Sequence, residues 1–288
     1  MLSIEQLTRI LQSLPPADEI TLEANPGDLT LDKLQSLREL GFNRLSIGIQ
    51  SFRDSELMFL GRRHNAAQAR EAVRMAQAAG FDNISIDLMY ALPGQTLEDW
   101  RYNISEALKL NVQHLSCYCL TYEPHTRLSR LVDEGIVTPA DEDTENAMYD
   151  ILCDTLKGAG FEHYEVSNFA LPGFRSRHNS GYWNDTPYIG LGAGAHSYDG
   201  AKRRWNTADL DAYLKDSSYE EETLTSDQKL MEHIMLGLRT CEGIELMDAL
   251  RLKAQPYLNS GHLTIKANRL VATQSGLHIL NRIIESLV

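Results

Sequence analysis

RLSIGIQSF, at residues 44–52, is a short run of aliphatic and β-branched residues that ends in a polar side chain, Gln50. A run of this length and composition predicts a buried β-strand, and Gln50 lies where that strand emerges. Three similar runs occur nearby and carry polar residues at their carboxyl ends: Glu23, Asp87 and Thr121. Because the carboxyl ends of parallel strands form the active-site face of an α/β barrel, we expect these four side chains to form a ring.

Predicted helices separate the four strands, and a glycine follows two of these helices, at Gly41 and Gly80. The alternation of strand and helix predicts parallel strands joined by right-handed crossovers. We therefore expect an α/β fold, either a doubly wound sheet or part of a (β/α) barrel. Polar residues on four different strand ends favour the partial barrel, although a closed eight-stranded barrel would need more units than the sequence offers.

The composition indicates a soluble globular protein of 288 residues, with 43% hydrophobic and 23% charged residues. Its 27 basic and 40 acidic residues give a net charge of −13, which argues against nucleic-acid binding through phosphates. The sequence shows neither a secretory signal nor an apolar run long enough for a transmembrane segment. Four sparse cysteines make a disulfide framework unexpected, so a cytoplasmic location fits best.

The regular pattern loosens after Thr121, and the composition shifts again near residue 201. We expect a barrel domain with an extension over residues 1–200, including one strand over residues 162–170, and a C-terminal helical domain over residues 201–288. Amphipathic helices followed by a hairpin pattern at residues 263–271 resemble a winged helix. The negative charge favours a packing or lid module over a DNA-reading one.

Several side chains are candidates for chemistry. The predicted ring of carboxylates and an amide can bind the amino, carboxylate and hydroxyl groups of a small polar ligand, and Arg62 can add an anion contact. The alternative is that these residues cap neighbouring helices. His178 lies beside Asn179, Tyr182 and Trp183, a set that can stack on and bind a large aromatic ligand, although a lone histidine is more often structural.

An ordered set of motifs carries a family resemblance: LEANPG, RLSIGIQSF, GRRH, IDLMYALPGQT, LTYEPHT, HNSGYW and GLGAGAHS. Together these motifs resemble the radical SAM family around the oxygen-independent coproporphyrinogen III oxidases, and they span nearly the whole chain. The HNSGYW stretch favours the heme chaperone branch, the HemW-like proteins. The resemblance implies a partial (β/α)6 barrel, here without its first β/α units, followed by a C-terminal helical, winged-helix-like domain.

The resemblance also implies ligands and a role. Glu23, Gln50, Arg62, Asp87 and Thr121 match the residues that line the S-adenosyl-L-methionine site. The motif residues His178, Asn179, Tyr182 and Trp183 match the heme-related motif. The implied role is binding of S-adenosyl-L-methionine and heme and delivery of heme to acceptor proteins.

One departure from the family pattern is severe. The family holds a 4Fe-4S cluster through C-x-x-x-C-x-x-C, and this sequence has no such motif, so no residue is assigned as a metal ligand. Cys117 and Cys119 cannot replace three spaced thiolates. We expect a family member missing its first two β/α units, either a truncated gene model or a true short protein, and inactive in radical chemistry.

Two other hypotheses stay open: a cluster-free protein that binds heme or porphyrin, and a partial-barrel enzyme that uses Glu23 and Asp87 as acid and base. No catalytic residue is assigned, so enzymatic activity is left undecided. The expected partners are heme and heme-accepting proteins, with no nucleic acid. The sequence is compatible with peripheral membrane contact and with a homodimer.

Overall fold

The computed structural model describes residues 2–288 and contains two compact units. In the first unit, four parallel strands form one side of a six-stranded sheet. The first unit ends at Arg175, and the second spans Ser176–Val288. The strands of the first unit are β1 (Thr21–Ala24), β2 (Arg44–Gln50), β3 (Ile84–Tyr90), β4 (His114–Cys119), β5 (Glu162–Glu165) and β6 (Asn168–Ala170). Its helices are α1 (Ile4–Gln12), α2 (Leu31–Glu39), α3 (Asp54–Phe59), α4 (Ala66–Ala78), α5 (Leu97–Lys109), α6 (Arg127–Asp133) and α7 (Glu142–Gly158).

The predicted α/β fold with parallel strands is confirmed. The order in the sheet is β1-β2-β3-β4-β6-β5, and the pairs β1–β2, β2–β3 and β3–β4 are parallel. Strand β4 ends at Cys119, so Thr121 lies beyond it in the following loop. The expectation of one strand over residues 162–170 was wrong, because the chain turns at 166–167 and forms the antiparallel pair β5–β6.

Alternation along the strands separates two faces of the sheet. Leu45, Ile47 and Ile49 of β2 are fully buried, as are Ile84 and Ile86 of β3. These side chains form the apolar core on one face. The residues between them are small or polar, and they face the opposite side.

The second unit contains two three-stranded antiparallel sheets, ordered β7-β8-β9 and β10-β12-β11. Its strands are β7 (His196–Tyr198), β8 (Lys202–Asn206), β9 (Tyr219–Thr223), β10 (Ile244–Glu245), β11 (Leu263–Lys266) and β12 (Arg269–Ala272). Its helices are α8 (Arg177–Trp183), α9 (Leu210–Asp216), α10 (Ser226–Gly237), α11 (Asp248–Asn259), α12 (Gln274–His278) and α13 (Leu280–Leu287). The hairpin expected at residues 263–271 is present as β11–β12.

Strands β8 and β9 lie within residues 201–288 and differ from the helical expectation for that region, whereas α9 between them is helical. With β7 they form the sheet β7-β8-β9, in which charged and aromatic side chains on neighbouring strands are in contact. Lys202 Nζ lies 2.8 Å from Glu221 Oε1, and the Arg204 guanidinium stacks over the Tyr219 ring. Pairs between strands stabilise a sheet without leaving an apolar pattern in the sequence. The two compact units divide at Arg175/Ser176, and β7 pairs with β8 across residue 200, where the sequence placed a domain boundary.

Candidate functional site

Gln50, Gly48 and Arg62 come together at the carboxyl end of β2, as the sequence expects for Gln50 and Arg62. The Nη2 of Arg62 donates to the Gly48 carbonyl oxygen over 3.3 Å. A Cβ added to Gly48 would lie 3.0 Å from Gln50 Nε2 and 3.1 Å from Arg62 Nη2. Glycine therefore leaves room above the backbone for the ends of the Gln50 and Arg62 side chains.

Arg62 retains hydrogen-bonding capacity at this place. Among residues 2–288, its Nε is buried and finds no hydrogen-bond partner. A buried donor left unpaired is costly, and a ligand oxygen would satisfy it. Gln50 adopts the left-handed conformation, with φ 70°, which a non-glycine residue adopts only under local constraint.

A buried network holds the backbone just after Gln50. Glu56 accepts hydrogen bonds from Ser51 Oγ at 2.5 Å and from Asn103 Nδ2 at 2.8 Å. The Asn103 Oδ1 in turn accepts from the Phe52 backbone N–H at 2.8 Å. Asn103 lies on α5, which follows β3, so the network ties the turn after β2 to the neighbouring β/α unit. It fixes the direction in which Gln50 leaves the strand.

His64 supports the same strand end from the other side. Its Nε2 lies 3.0 Å from the carbonyl oxygen of Ile49, and the ring is buried. Burial lowers the pKa of His64 below its usual value, and the charge of Arg62 adds to that effect. A neutral ring that donates to the carbonyl oxygen matches this contact, so His64 supports the strand end.

Asp87 is the titratable centre of the polar face. Ser46 Oγ on β2 donates to Asp87 Oδ1 at 3.4 Å, and Ser116 on β4 is also in hydrogen-bond contact with the Asp87 carboxyl group. Burial, and then the negative charge of Glu23, raise the pKa of Asp87 to about 6. The hydrogen bonds from Ser116 and Ser46 and the charge of Arg44 act in the opposite direction. The protonation of Asp87 therefore changes near neutral pH.

The two remaining members of the predicted ring, Glu23 and Thr121, are both exposed. Glu23 lies exposed on β1, opposite Ser46 in the strand register, and its charge reaches Asp87. Thr121 is exposed in the loop after β4. The side chains of Gln50 and Arg62 thus converge over Gly48. Glu23 lies within electrostatic reach of Asp87, which is in the middle of β3 and not at its end, and Thr121 lies in the loop after β4.

Sequence reasoning missed several residues that build this site: Gly48, Ser46, Ser116, Asn103 and Asn168. Ser46 and Ser116 occupy alternate positions within the apolar runs. That period of two was the available signal for a polar face. Nothing local distinguishes Asn103 on α5 or Asn168 on β6, because their partners lie about 50 residues away, as in the Ser116–Asn168 pair.

The second candidate site is α8, which the polar–aromatic stretch forms in the second unit. His178 and Tyr182 are one helical turn apart and exposed, with ring centroids 4.9 Å apart. Tyr182 Oη lies 3.2 Å from His178 Nε2, so coordination of a metal by that nitrogen requires this contact to break. The backbone N–H of Asn179 donates a hydrogen bond to Ser176 Oγ and so helps to fix the start of α8.

Trp183 points into a cavity of about 210 Å³ that is also lined by Asp185, Tyr198, Glu232 and Arg269. Its Nε1 is buried and has no hydrogen-bond partner within the described part of the chain. Burial raises the pKa of Tyr198 to about 12, helped by its contact with Asp185. The motif therefore presents an exposed His–Tyr pair and a separate, buried indole donor.

Three of the four thiols do not fit an iron–sulfur cluster. Burial raises the pKa of Cys119 and of Cys153 to about 12, and the pKa of Cys117 lies well above its usual value for the same reason. Cluster ligands are thiolates, so these environments are unsuitable. Residues 2–288 contain no group of three or more His, Cys, Asp or Glu side chains placed to hold a metal ion. No reaction step at a cluster follows from these residues.

Comparisons with known proteins show which proteins this chain resembles. A family model described as the radical SAM superfamily matches residues 2–106. The chain is 39% identical over 254 residues to the heme chaperone HemW of Lactococcus lactis, covering 85% of this chain and 67% of that protein. It is 37% identical over 247 residues to the heme chaperone HemW of Bacillus subtilis, covering 84% of this chain and 65% of that protein.

The fold also resembles that of a solved structure. The coproporphyrinogen III oxidase HemN of Escherichia coli, described as a radical SAM enzyme, superposes with a TM-score of 0.81 and 19% identity. The superposition covers 99% of this chain and 74% of that chain. The chain spans about two thirds of the length of the two curated relatives. Within residues 2–288, no helix combines the length and apolar character that crossing a bilayer requires.

Proposed function

The chain belongs to the HemW family of heme chaperones within the radical SAM superfamily, and we propose that it binds S-adenosyl-L-methionine and heme. The proposed S-adenosyl-L-methionine site is the carboxyl end of β1–β4. The proposed heme site is the exposed His178–Tyr182 pair on α8. The proposed role is delivery of heme to acceptor proteins, as the name of the relatives implies for them.

A single observation supports the S-adenosyl-L-methionine site most directly: the cradle in which Gly48 leaves room for Gln50 and Arg62 while Arg62 Nε is unpaired. Glu23 and Asp87 add two acceptors for the cationic and hydroxyl groups of that ligand. The chemistry of S-adenosyl-L-methionine in this superfamily belongs to the cofactor and a reduced cluster. The residues of this chain bind and orient the ligand, and Asp87 holds or releases a proton beside it.

A second candidate function, a cluster-free heme- or porphyrin-binding protein, is favoured by the protonated, buried thiols. The two functions differ in a simple way. The first requires S-adenosyl-L-methionine to bind at Gln50 and Arg62, whereas the second requires only heme binding at α8. Cytoplasmic location, a homodimer and peripheral membrane contact stay predictions from the sequence.

Calorimetric titration of the purified chain with S-adenosyl-L-methionine tests the first function. We expect binding that Arg62→Ala and Gln50→Ala each weaken tenfold or more, whereas Arg74→Ala, which removes an exposed arginine on α4, leaves it unchanged. Equal loss in all three variants would contradict a site at the end of β2.

Heme titration followed by absorbance tests the second site independently. His178→Ala is expected to shift the Soret band of bound heme and weaken heme affinity. His125→Asn, at an exposed residue whose positive φ asparagine tolerates, serves as the matched control. Heme binding that survives His178→Ala with the same spectrum and affinity would remove His178 as a ligand.

A further inference from the structure

The cavity beside α8 lies within the second unit and has a volume of about 210 Å³. Trp183 of α8 lines it, together with Lys229 and Glu232 of α10 and Arg269 of β12. Three segments that are far apart in the sequence thus place charged side chains and an indole around one cavity. The space exceeds that of a single water, which occupies only about 10–15 Å³, so the cavity can hold a ligand of several heavy atoms.

The indole N–H of Trp183 is a donor without an acceptor. Its Nε1 is buried and has no hydrogen-bond partner among residues 2–288. The indole of Trp100, by contrast, donates to the carbonyl oxygen of Met148 over 2.9 Å. An indole nitrogen can only donate, so the group that would satisfy Trp183 is an acceptor. Because an unpaired buried donor is unfavourable, an acceptor bound in the cavity would be stabilised there.

The two basic side chains of the lining have no anionic partner. Lys229 Nζ donates to the carbonyl oxygen of Gly200 over 2.7 Å. Arg269 donates from Nε to the carbonyl oxygen of Glu242 over 2.7 Å and from Nη2 to that of Gly243 over 2.6 Å. Among the described residues, neither basic side chain forms an ion pair with a carboxylate. An ammonium group has three N–H donors and a guanidinium five, so both retain donors for a further acceptor.

The acidic side chains of the lining are already engaged. Glu232 Oε2 lies 2.7 Å from Arg203 Nη2. The carboxylate of Glu242 accepts a hydrogen bond from the thiol of the preceding residue over 3.2 Å. Asp185 lies close enough to Tyr198 to add to the effect of burial on the pKa of that phenol. The groups of the lining that lack a counterpart are therefore donors and positive charges.

We propose that this cavity binds a carboxylate group, with the Trp183 indole donating to one of its oxygens and Lys229 and Arg269 supplying positive charge. An ionised carboxylate only accepts hydrogen bonds, and bonds to charged donors are the stronger ones. A neutral acceptor would satisfy the indole and leave both basic side chains without an anion. The acidic side chains nearby favour a ligand with one negative charge over a dianion.

Two ligands can supply such a carboxylate: a free small organic acid, and a heme bound at α8 through one of its propionates. Trp183 directly follows Tyr182, so the cavity adjoins the proposed heme site along α8. The carboxylate site depends on the cavity alone, whereas the propionate source rests on the proposed function. The experiments below use one probe for each source.

Nitrogen–proton NMR of the three tryptophan indole N–H groups in the full chain tests the carboxylate site. The Trp183 signal is identified by its loss in Trp183→Phe. We expect propionate to move this signal downfield in a saturable manner, because a new hydrogen bond deshields the indole proton. Propionamide, which is neutral and similar in shape, should move it far less. The Trp100 indole is already bonded to Met148 and serves as the internal control.

Lys229→Met is expected to weaken propionate binding about fivefold or more, because it removes a charged donor and keeps most of the side-chain volume. Lys215→Met is the matched control, since Lys215 is an exposed lysine of α9 that does not line the cavity. Equal shifts of the Trp183 signal with propionate and propionamide would mean that the cavity takes a neutral acceptor, which overturns the inference.

Absorbance titration with heme and with heme dimethyl ester, whose carboxylates are masked, identifies the source. If a propionate enters the cavity, the wild-type chain should bind heme about tenfold or more tightly than the ester, and Lys229→Met should lose this preference. Equal affinity for heme and its ester, with the expected response to propionate, assigns the cavity to a free acid.

The two proposals fail in different ways. Absence of heme binding, with the expected response of Trp183 to propionate, rejects the proposed heme site and supports the carboxylate site. Absence of that response, together with equal affinity for heme and its ester, overturns the carboxylate site and leaves the heme proposal standing.

Discussion

Arg62 Nη2 and the carbonyl oxygen of Gly48 lie 3.3 Å apart, although the two residues are 14 positions apart in the sequence. The intervening segment contains α3 and returns the guanidinium to the strand end from which the chain departed. One donor of Arg62 is thereby used to fix its position. The buried Nε is left for a ligand, according to the contacts within residues 2–288.

Gly48→Ala is expected to separate ligand binding from stability. The new Cβ meets the far ends of two flexible side chains, Gln50 at 3.0 Å and Arg62 at 3.1 Å, which can move without disturbing the core. We expect the free energy of unfolding to change by no more than about 1 kcal/mol. Calorimetric affinity for S-adenosyl-L-methionine should fall about tenfold or more, which corresponds to ~1.4 kcal/mol.

Gly158→Ala is the matched control for this glycine. Gly158 ends α7, has no atom within 4 Å of an added Cβ and requires no positive φ. It should leave ligand affinity unchanged. Unchanged affinity in Gly48→Ala as well would show that the ligand does not need the close approach of Gln50 and Arg62.

Glu56→Ala is expected to destabilise the first unit strongly. The change leaves Ser51 Oγ and Asn103 Nδ2 without their buried acceptor, at a cost of about 2–4 kcal/mol in the free energy of unfolding. Glu56→Gln keeps one acceptor oxygen and should cost less. Urea unfolding monitored by circular dichroism measures both.

Glu71→Ala provides the comparison for the loss of a glutamate. Glu71 lies exposed on α4 and its carboxylate is 3.7 Å from Arg74, so its removal should change stability by less than about 1 kcal/mol. If Glu56→Ala were no more destabilising than Glu71→Ala, the Ser51–Glu56–Asn103 network would not contribute to the free energy of unfolding.

His114 is expected to make the protein sensitive to acid. The ring is 1% exposed, with Ser85 Oγ 2.7 Å from Nδ1 and Tyr164 Oη 2.7 Å from Nε2. Burial, and then the charge of Arg44, lower the pKa of His114 to about 3. The folded protein therefore excludes a proton that the unfolded chain takes up below about pH 6.5.

Because the unfolded state binds more protons over this range, stability is lost as the pH falls from about 6.5 towards 3, with a slope of up to ~1.4 kcal/mol per pH unit from this residue. Urea unfolding at pH 7, 6, 5 and 4 measures the slope. His114→Asn should flatten it, and His125→Asn should not. Parallel curves for the wild type and His114→Asn would show that His114 does not contribute.

The sequence predicted the candidate site where local patterns sufficed. An apolar run that stops at a polar residue located the strand end at Gln50. The same pattern placed Asp87 at a strand end, but β3 continues through Leu88 and Met89 to Tyr90, so Asp87 lies in its middle. The position of Arg62 depends on α3, a helix of only six residues that is too short to show helical periodicity. Its role was inferred from the family motif, and the fold shows how the side chain returns to Gly48.

Other contacts depend on pairing between distant segments, which no local pattern records. Asn103 reaches Phe52 from the next β/α unit, and Asn168 reaches Ser116 from a hairpin that the sequence suggested was a single strand. The sheet β7-β8-β9 was missed for a related reason. Its charged and aromatic residues form a strand only in the presence of their partners on the neighbouring strands.

Alternate residues of β2 face opposite sides of the sheet, so they tolerate different kinds of substitution. Substitutions of Leu45, Ile47 and Ile49 are constrained by the volume and shape of the apolar core. Substitutions of Ser46 and Gly48 are constrained by the groups on the opposite face of the sheet. Adjacent codons in this segment should therefore tolerate different exchanges. A library that varies only Ser46 and Gly48 should change the polar face of β2 while leaving the apolar core of the fold in place.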